Sequence, residues 1–326
     1  MLRTHSGNDR AEQFRQCART AFLCIAVGAG FLHAQVPSAN TAGAPAQQKQ
    51  AAAAGDNERG ITLYVSVTDS KHNSVNDLKA PDFAVDEDGR RQEITAFSHE
   101  DLPVSMGILV DNSGSMREKR AAVAQAMLNL VKASNPGSEA FVVNFSDLPY
   151  LDQDFTNDLT LLREALNRLD SRGGTALRDA VIASADHLSK AAKYRKRVLV
   201  LVTDGEDNES QESLEKVMRT VGDENGPVLY AIGILGSEGR ERRARQTLEE
   251  LAKQTGGLAL FPKSLSAVNE SAQRIARDIR GQYSLTYRSS HPGETQTLIH
   301  VKVSTLTGKF EVRCRPAYFS APHPPK

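Results

Sequence analysis

The 326-residue sequence contains no tryptophan, and aromatic residues make up only 6% of it. So few rings argue against a base-stacking surface for single-stranded nucleic acid. An excess of either charge is also missing, because 40 Lys and Arg balance 40 Asp and Glu. The total therefore draws the chain neither to nucleic acid nor to an anionic membrane. Neither a P-loop nor a Gly-x-Ser-x-Gly elbow occurs, and the eight His form no His-x-x-x-His pair. The common nucleotide, serine-hydrolase and zinc-protease signatures are thereby removed. No fixed-period repeat is present, which excludes solenoids and propellers. What remains is ordinary globular composition, 40% hydrophobic and 25% charged, in a chain long enough for one large domain or two modest ones.

Cysteine is scarce as well, and two of the three, Cys17 and Cys24, lie in a segment unlike the rest. There Arg3, Arg10, Arg15 and Arg19 precede an apolar run from Thr20 to Leu32, and Leu32-His33-Ala34 offers a small residue before a cut. That order is expected of a signal peptide over 1–34, and the run is too short to cross a bilayer comfortably. Cys24 lacks the small residues just before it that lipidation needs. Loss of 1–34 removes four Arg and two acids, leaving 36 basic against 38 acidic residues, a net charge of −2. Only Cys314 would remain, which excludes an internal disulfide and reads as a packed strand residue. The expected location is secreted or periplasmic, with no membrane-spanning segment after cleavage.

Residues 35–55, rich in Ala, Gln and Pro, read as a flexible linker. Over 56–103 the pattern predicts strands at 61–67, 83–86 and 93–97, too few for an independent sandwich. From 104 to 281, apolar strand runs at 106–110, 140–145, 198–202, 228–234 and 258–261 alternate with amphipathic helical stretches at 118–132, 161–169, 177–188, 213–220, 241–254 and 265–279. Continuous apolar strands between helices predict an α/β fold, a doubly wound, mostly parallel sheet covered on both faces. Strands at 282–287, 297–303 and 310–314 within the segment 282–326 are expected to join those of 61–98 in a small flanking β module, since each set alone exposes edges. Because the helix at 265–279 runs into the strand beginning near Tyr283, movement of that helix would be passed to this module.

The strongest chemical signal is Asp111-Asn112-Ser113-Gly114-Ser115, directly after a strand. Ligands of doubly wound sheets bind at the carboxyl ends of strands, where this loop lies. Asp111, Ser113 and Ser115 can turn three oxygens to one side, and Gly114 is read as allowing the turn. Gly173-Gly174-Thr175 and Thr203-Asp204-Gly205 can share the rim, adding Thr175 and Asp204. Two carboxylates and three hydroxyls are hard ligands, suited to a divalent cation such as Mg²⁺, Ca²⁺ or Mn²⁺ rather than zinc. Two carboxylates just neutralise the ion and leave room for an outside carboxylate.

Asp-x-Ser-x-Ser, a distant Gly-Gly-Thr and a later Thr-Asp-Gly, in this order between strands, resemble the metal-ion-dependent adhesion site of von Willebrand factor A (VWA) domains. The resemblance spans about 104–281. The Asp86-Glu87-Asp88-Gly89 segment and the run Arg315-Pro316-Ala317-Tyr318-Phe319 also look like VWA-related proteins of acidobacterial type. It implies a VWA fold, Mg²⁺ foremost at Asp111, Ser113, Ser115, Thr175 and Asp204, and a protein partner that supplies Asp or Glu to the metal, as in adhesion or complex assembly. The alternatives are a metal-dependent hydrolase with Glu118, Asp147 or Glu206 as base, and a structural envelope protein with an unused site. Because the five side chains lie on loops, alanine at Asp111 or Asp204 is expected to spare the fold.

Other features have plainer readings. Glu206, Asp207 and Glu209 are expected to cap the helix that follows them. The basic stretch 190–197 reads as a solvated turn, Gly233-x-x-Gly236-x-x-Gly239 as a loop, and His187 as a surface residue.

Overall fold

Alternating apolar residues make the first strand, β1 (Gly60–Thr68), with Ile61, Leu63, Val65 and Val67 buried. The structure is a computed structural model that describes residues 60–168, 173–205, 207–235, 241–291 and 294–321. The expected signal and linker, Glu206, Gly236 and Gly239 lie outside the described residues. Next come β2 (Phe83–Glu87), β3 (Arg90–Gln92) and β4 (Ile94–Ser98). Asp88 and Gly89 join β2 to β3 with φ of 44° and 77°, the positive pair that a tight two-residue hairpin requires.

The chain then alternates β5 (Ser105–Asp111), α1 (Arg120–Ala133), β6 (Glu139–Phe145), β7 (Pro149–Thr156), α2 (Leu159–Leu166), α3 (Leu177–Ala191), β8 (Arg197–Thr203), α4 (Leu214–Val221), β9 (Val228–Gly233), α5 (Glu241–Thr255), β10 (Ala259–Leu260) and α6 (Ser266–Arg280). Four strands close the described chain: β11 (Tyr283–Arg288), β12 (Leu298–Thr305), β13 (Glu311–Arg313) and β14 (Ala317–Phe319).

The central sheet has the order β10-β9-β8-β5-β6-β7. Its pairs are parallel except β6 with β7. One face packs Met106, Ile108, Val110, Val200 and Val202 against residues of α1, α2 and α6. The other packs Leu109, Phe141, Val143, Leu199 and Leu201 against α3, α4 and α5. This is the doubly wound α/β architecture expected from the alternation. The chain leaves β5 for β6 on one side and later returns to β8 on its other side. The carboxyl end of β5 is thus the topological switch point, where such sheets form a crevice.

Strands β3, β7 and β14 had no counterpart in the sequence reading. Strand β7 is the antiparallel edge, begins at Pro149 and carries Asp152 and Asp154. An edge strand tolerates a leading proline and polar side chains, so it lacks the apolar run of its neighbours.

Strands from both ends of the described chain interleave in two antiparallel sheets, β13-β1-β11-β4 and β14-β12-β2-β3. Leu63 faces Leu285 across β1 and β11, and Val85 faces Val303 across β2 and β12. Between the sheets lies a core of Leu63, Val65, Val85, Tyr283, Leu285 and Tyr318 among others. Inside it, Glu87 accepts hydrogen bonds from the hydroxyls of Tyr287 (2.8 Å), Tyr318 (2.8 Å) and Ser290 (2.7 Å) and from the Ser290 amide (2.6 Å). Burial alone would raise its pKa, but these donors outweigh burial and hold the carboxyl below its usual value. The Asp-Glu-Asp-Gly segment and the Ala-Tyr-Phe ending noted in the sequence therefore meet as a hairpin and a core clasp.

Polar contacts fasten the sandwich to the α/β layer. Asp278 of α6 accepts from Tyr230 of β9 (2.6 Å), Ser66 of β1 (3.3 Å) and Arg313 of β13. Arg315 is buried and donates to the carbonyls of Asp223, Glu224 and Gly226 beyond α4. Lys196 is also buried, donates to the Ile279 carbonyl and lies over the Tyr64 ring. The stretch 190–197, read as solvated, therefore contributes one residue to this seam. We expect Asp278→Ala to lower stability by about 3 kcal/mol, because it strands the Arg313 guanidinium. A urea unfolding curve with a lower midpoint checks this.

Candidate metal centre

Every residue of β5 is buried, so Asp111 at its carboxyl end enters the site with 0% exposure. The loop beyond it is tied down on both sides. The Asn112 amide donates to the Phe145 carbonyl (2.6 Å), and the Ser113 amide donates to Asp111 Oδ1 (2.9 Å). Ser113 then precedes a single 3-10 turn, Gly114–Met116, whose Met116 side chain is fully buried. Gly114 does not have a positive φ, and a Cβ there would meet nothing within 4 Å. The Ser113 amide on Asp111 Oδ1 braces this turn, and neither a positive φ nor a close approach requires the expected glycine at 114.

Four of the five expected residues form one connected set. The Ser113 and Ser115 hydroxyls lie 3.1 Å apart, and Ser115 Oγ donates to Asp204 Oδ1 (2.8 Å). Asp204 follows β8, whose last residue, Thr203, donates its hydroxyl to Asp111 Oδ2 (2.5 Å). The fifth, Thr175, is 5% exposed and is held through its backbone. Its amide donates to Asn208 Oδ1 (2.8 Å), and its carbonyl accepts from the Asn208 and Glu209 amides. A Cβ built on Gly205 would stand 3.9 Å from Thr175 Oγ1, so the Thr-Asp-Gly and Gly-Gly-Thr loops meet at the crevice. The Gly-Gly pair has a steric reason. Gly173 has φ +81°, a Cβ there would fall 2.4 Å from Asp147 Oδ1, and one on Gly174 would fall 2.3 Å from Glu209 Cγ. Asp147, a base candidate in the sequence, instead accepts the Gly174 amide (2.5 Å).

Several assignments change. Asp207 caps α3, the helix before it in sequence: it accepts from the Arg178 amide (2.8 Å) and from Ser210 Oγ (2.6 Å). The following helix, α4, is capped by Ser213, which accepts from the Lys216 amide. His187 is no surface residue. Its side chain is 11% exposed, stacks on Phe155, meets Phe141 edge-on and contacts Asp154 at 2.8 Å. Asp111 likewise lies beneath the loops, so the premise that alanine there touches only surface does not hold.

One participant escaped the sequence reading. Lys119, at the entry to α1, donates its ammonium to Asp204 Oδ2. The only hint is a cation eight residues beyond Asp111. Beside it opens a groove of about 490 Å³, lined by Ser115, Arg117, Lys119, Leu235, Lys263 and Leu265 among others. Among the described residues no group of three or more His, Cys, Asp or Glu is arranged to hold a metal. A cation bound here would rest on hydroxyls as well as carboxylates.

Burial pushes the Asp111 carboxyl up to about 6 against the lowering effect of hydrogen bonds from Thr203 and Ser113, and Asp204 adds to the rise. The folded value lies above the ordinary 3.8, so the proton binds the folded state more tightly than the unfolded one. This contribution to stability is complete below about pH 4 and lost as pH rises through about 6. We expect Asp111→Asn to stabilise the metal-free chain near pH 7 by at most about 3 kcal/mol. Its melting temperature in chelator should vary less between about pH 4 and 7 than that of the unaltered chain.

The von Willebrand factor type A domain model matches residues 106–206, which run from β5 to just beyond Asp204. Among solved structures, a von Willebrand factor type A protein from Catenulispora acidiphila is 15% identical, with a TM-score of 0.46 over 74% of each chain. An aerotolerance-related membrane protein from Bacteroides fragilis is 17% identical, with a TM-score of 0.45 over 54% of this chain and 98% of that one. The vWF domain of a type V pilus tip protein from Porphyromonas gingivalis is 13% identical, with a TM-score of 0.43 over 55% of this chain and 97% of that one. No curated protein matches the sequence.

Proposed function

We propose that this chain, a von Willebrand factor type A domain protein, is an exported binding module that captures an acidic side chain of a protein partner through a divalent cation. Asp111, Ser113, Ser115, Thr175 and Asp204 would hold the ion, Mg²⁺ foremost, with Ca²⁺ and Mn²⁺ as alternatives. The observation that carries this reading is the connected array at the switch point. Loops after β5 and β8 bring two carboxylates and two hydroxyls into one hydrogen-bonded set, and the loop before α3 brings Thr175 to the same crevice. These are hard oxygen donors of the kind Mg²⁺ and Ca²⁺ take. The bound cation would supply positive charge for an incoming carboxylate. The chain's own part is to hold its oxygens in place: the Ser113 amide and Thr203 hydroxyl orient Asp111, and the Ser115 hydroxyl orients Asp204. Family membership supports protein binding in general, and the acidic partner and the export are our inferences from the site and from residues 1–34.

The hydrolase alternative has less support, since Asp147 is engaged by the Gly174 amide and Glu118 stands exposed at the groove. In calorimetric titration of the full chain we expect Mg²⁺ to bind. Asp111→Ala and Asp204→Ala should weaken it at least about 100-fold, the upper end of what loss of an outer partner alone costs. Capture of an acidic peptide from a library should fail in chelator and in both variants. Capture indifferent to chelator would refute the mechanism.

A further inference from the structure

The two carboxylates of the site are neutralised differently by the chain itself. Asp111 receives neutral donors, from the amide and hydroxyl of Ser113 and from the Thr203 hydroxyl. Asp204 has a side chain 1% exposed, and its two oxygens are taken by the Ser115 hydroxyl and by the ammonium of Lys119. A carboxylate so deeply buried is costly without a cation, and Lys119 provides one. Its backbone is fixed: the amide donates to the Met116 carbonyl (2.9 Å), and its carbonyl accepts from Val123 (3.1 Å) as α1 begins. Its side chain is 26% exposed and borders the groove shared with Arg117 and Lys263. A lysine stem is flexible and ends in a compact, readily hydrated charge, so the ammonium can leave Asp204 for this groove without any backbone movement.

Resting on the metal-site reading above, we propose that Lys119 is a tethered counter-cation that holds Asp204 in the metal-free chain and must surrender it before a divalent ion binds. Lys119 thereby weakens metal affinity and sets the concentration at which the site loads. A lysine that merely braced the loop would have the opposite effect, because its loss would loosen Asp204 and weaken binding. The two roles predict opposite signs for one substitution.

The test is calorimetric titration of the full chain with Mg²⁺ alone, for the unaltered protein, Lys119→Gln and Lys119→Arg. We expect Lys119→Gln to bind about tenfold more tightly or better, on the scale of a close, half-buried ion pair. Lys119→Arg, which keeps the charge, should stay within about threefold of the unaltered chain. A second measurement needs no substitution at Lys119. Amine-acetylating reagent should modify Lys119 several-fold faster in saturating Mg²⁺ than in chelator, read by peptide mass spectrometry, and Asp111→Ala should abolish the difference. If the unaltered chain binds Mg²⁺ and Lys119→Gln binds no more tightly, or labelling does not respond to Mg²⁺, the counter-cation role is overturned while the metal site stands. If neither chain binds Mg²⁺, the metal site falls and this role with it.

Discussion

Strand β5 lies between two parallel neighbours and is covered on both faces, so every residue on it from Ser105 to Asp111 is buried. Much of the crevice follows from this burial. A carboxylate at the end of such a strand cannot hydrate, and the chain surrounds it with donors drawn from the loops nearby. The Ser113 amide comes from the next turn and the Thr203 hydroxyl from the end of the adjacent strand. Once Thr203 is committed to Asp111, the next residue, Asp204, is carried into the same space, where Ser115 and Lys119 meet it. The packing that makes the sheet stable thus also concentrates negative charge at one point of its rim. Such a point is costly without a compensating cation, and the Lys119 ammonium supplies one.

The loops around that rim hold one another. The segment after β8 caps α3 through Asp207 and Ser210 and grips Thr175 through Asn208. A side chain on Gly173 would collide with Asp147, and one on Gly174 with Glu209 and Asn208. Rigidity of this kind is what a binding site on loops needs, since it holds oxygens in place without waiting for a ligand.

The sequence made much of this legible, and the gaps have identifiable causes. The parallel core strands read clearly because burial on both faces leaves no polar position in them, as Val198–Val202 shows. The motif loops could be placed because a strand end precedes each of the two that carry aspartate. Strand β7 was missed because an edge strand needs no apolar run, and that omission hid the position of His187, whose ring is covered by Phe155 of β7. Asp207 was assigned to the helix next in sequence, whereas the return crossing of a doubly wound sheet sets it beside the helix before it. Lys119 could not be read as a partner of Asp204, 85 residues away, because the direction of a side chain at the first turn of α1 has no linear signature.

The split β sandwich also imposes an order in time. Strand β1 comes early in the chain, but its neighbours β11 and β13 follow the whole α/β layer. Leu63 and Val65 therefore stay without their facing residues until Tyr283 and Leu285 have been made and have docked. Contacts this distant in sequence close late and slowly. A chain threaded through a narrow passage would complete the α/β sheet before its ends could join. The sandwich would form last, once the strands that follow the α/β layer have docked on β1.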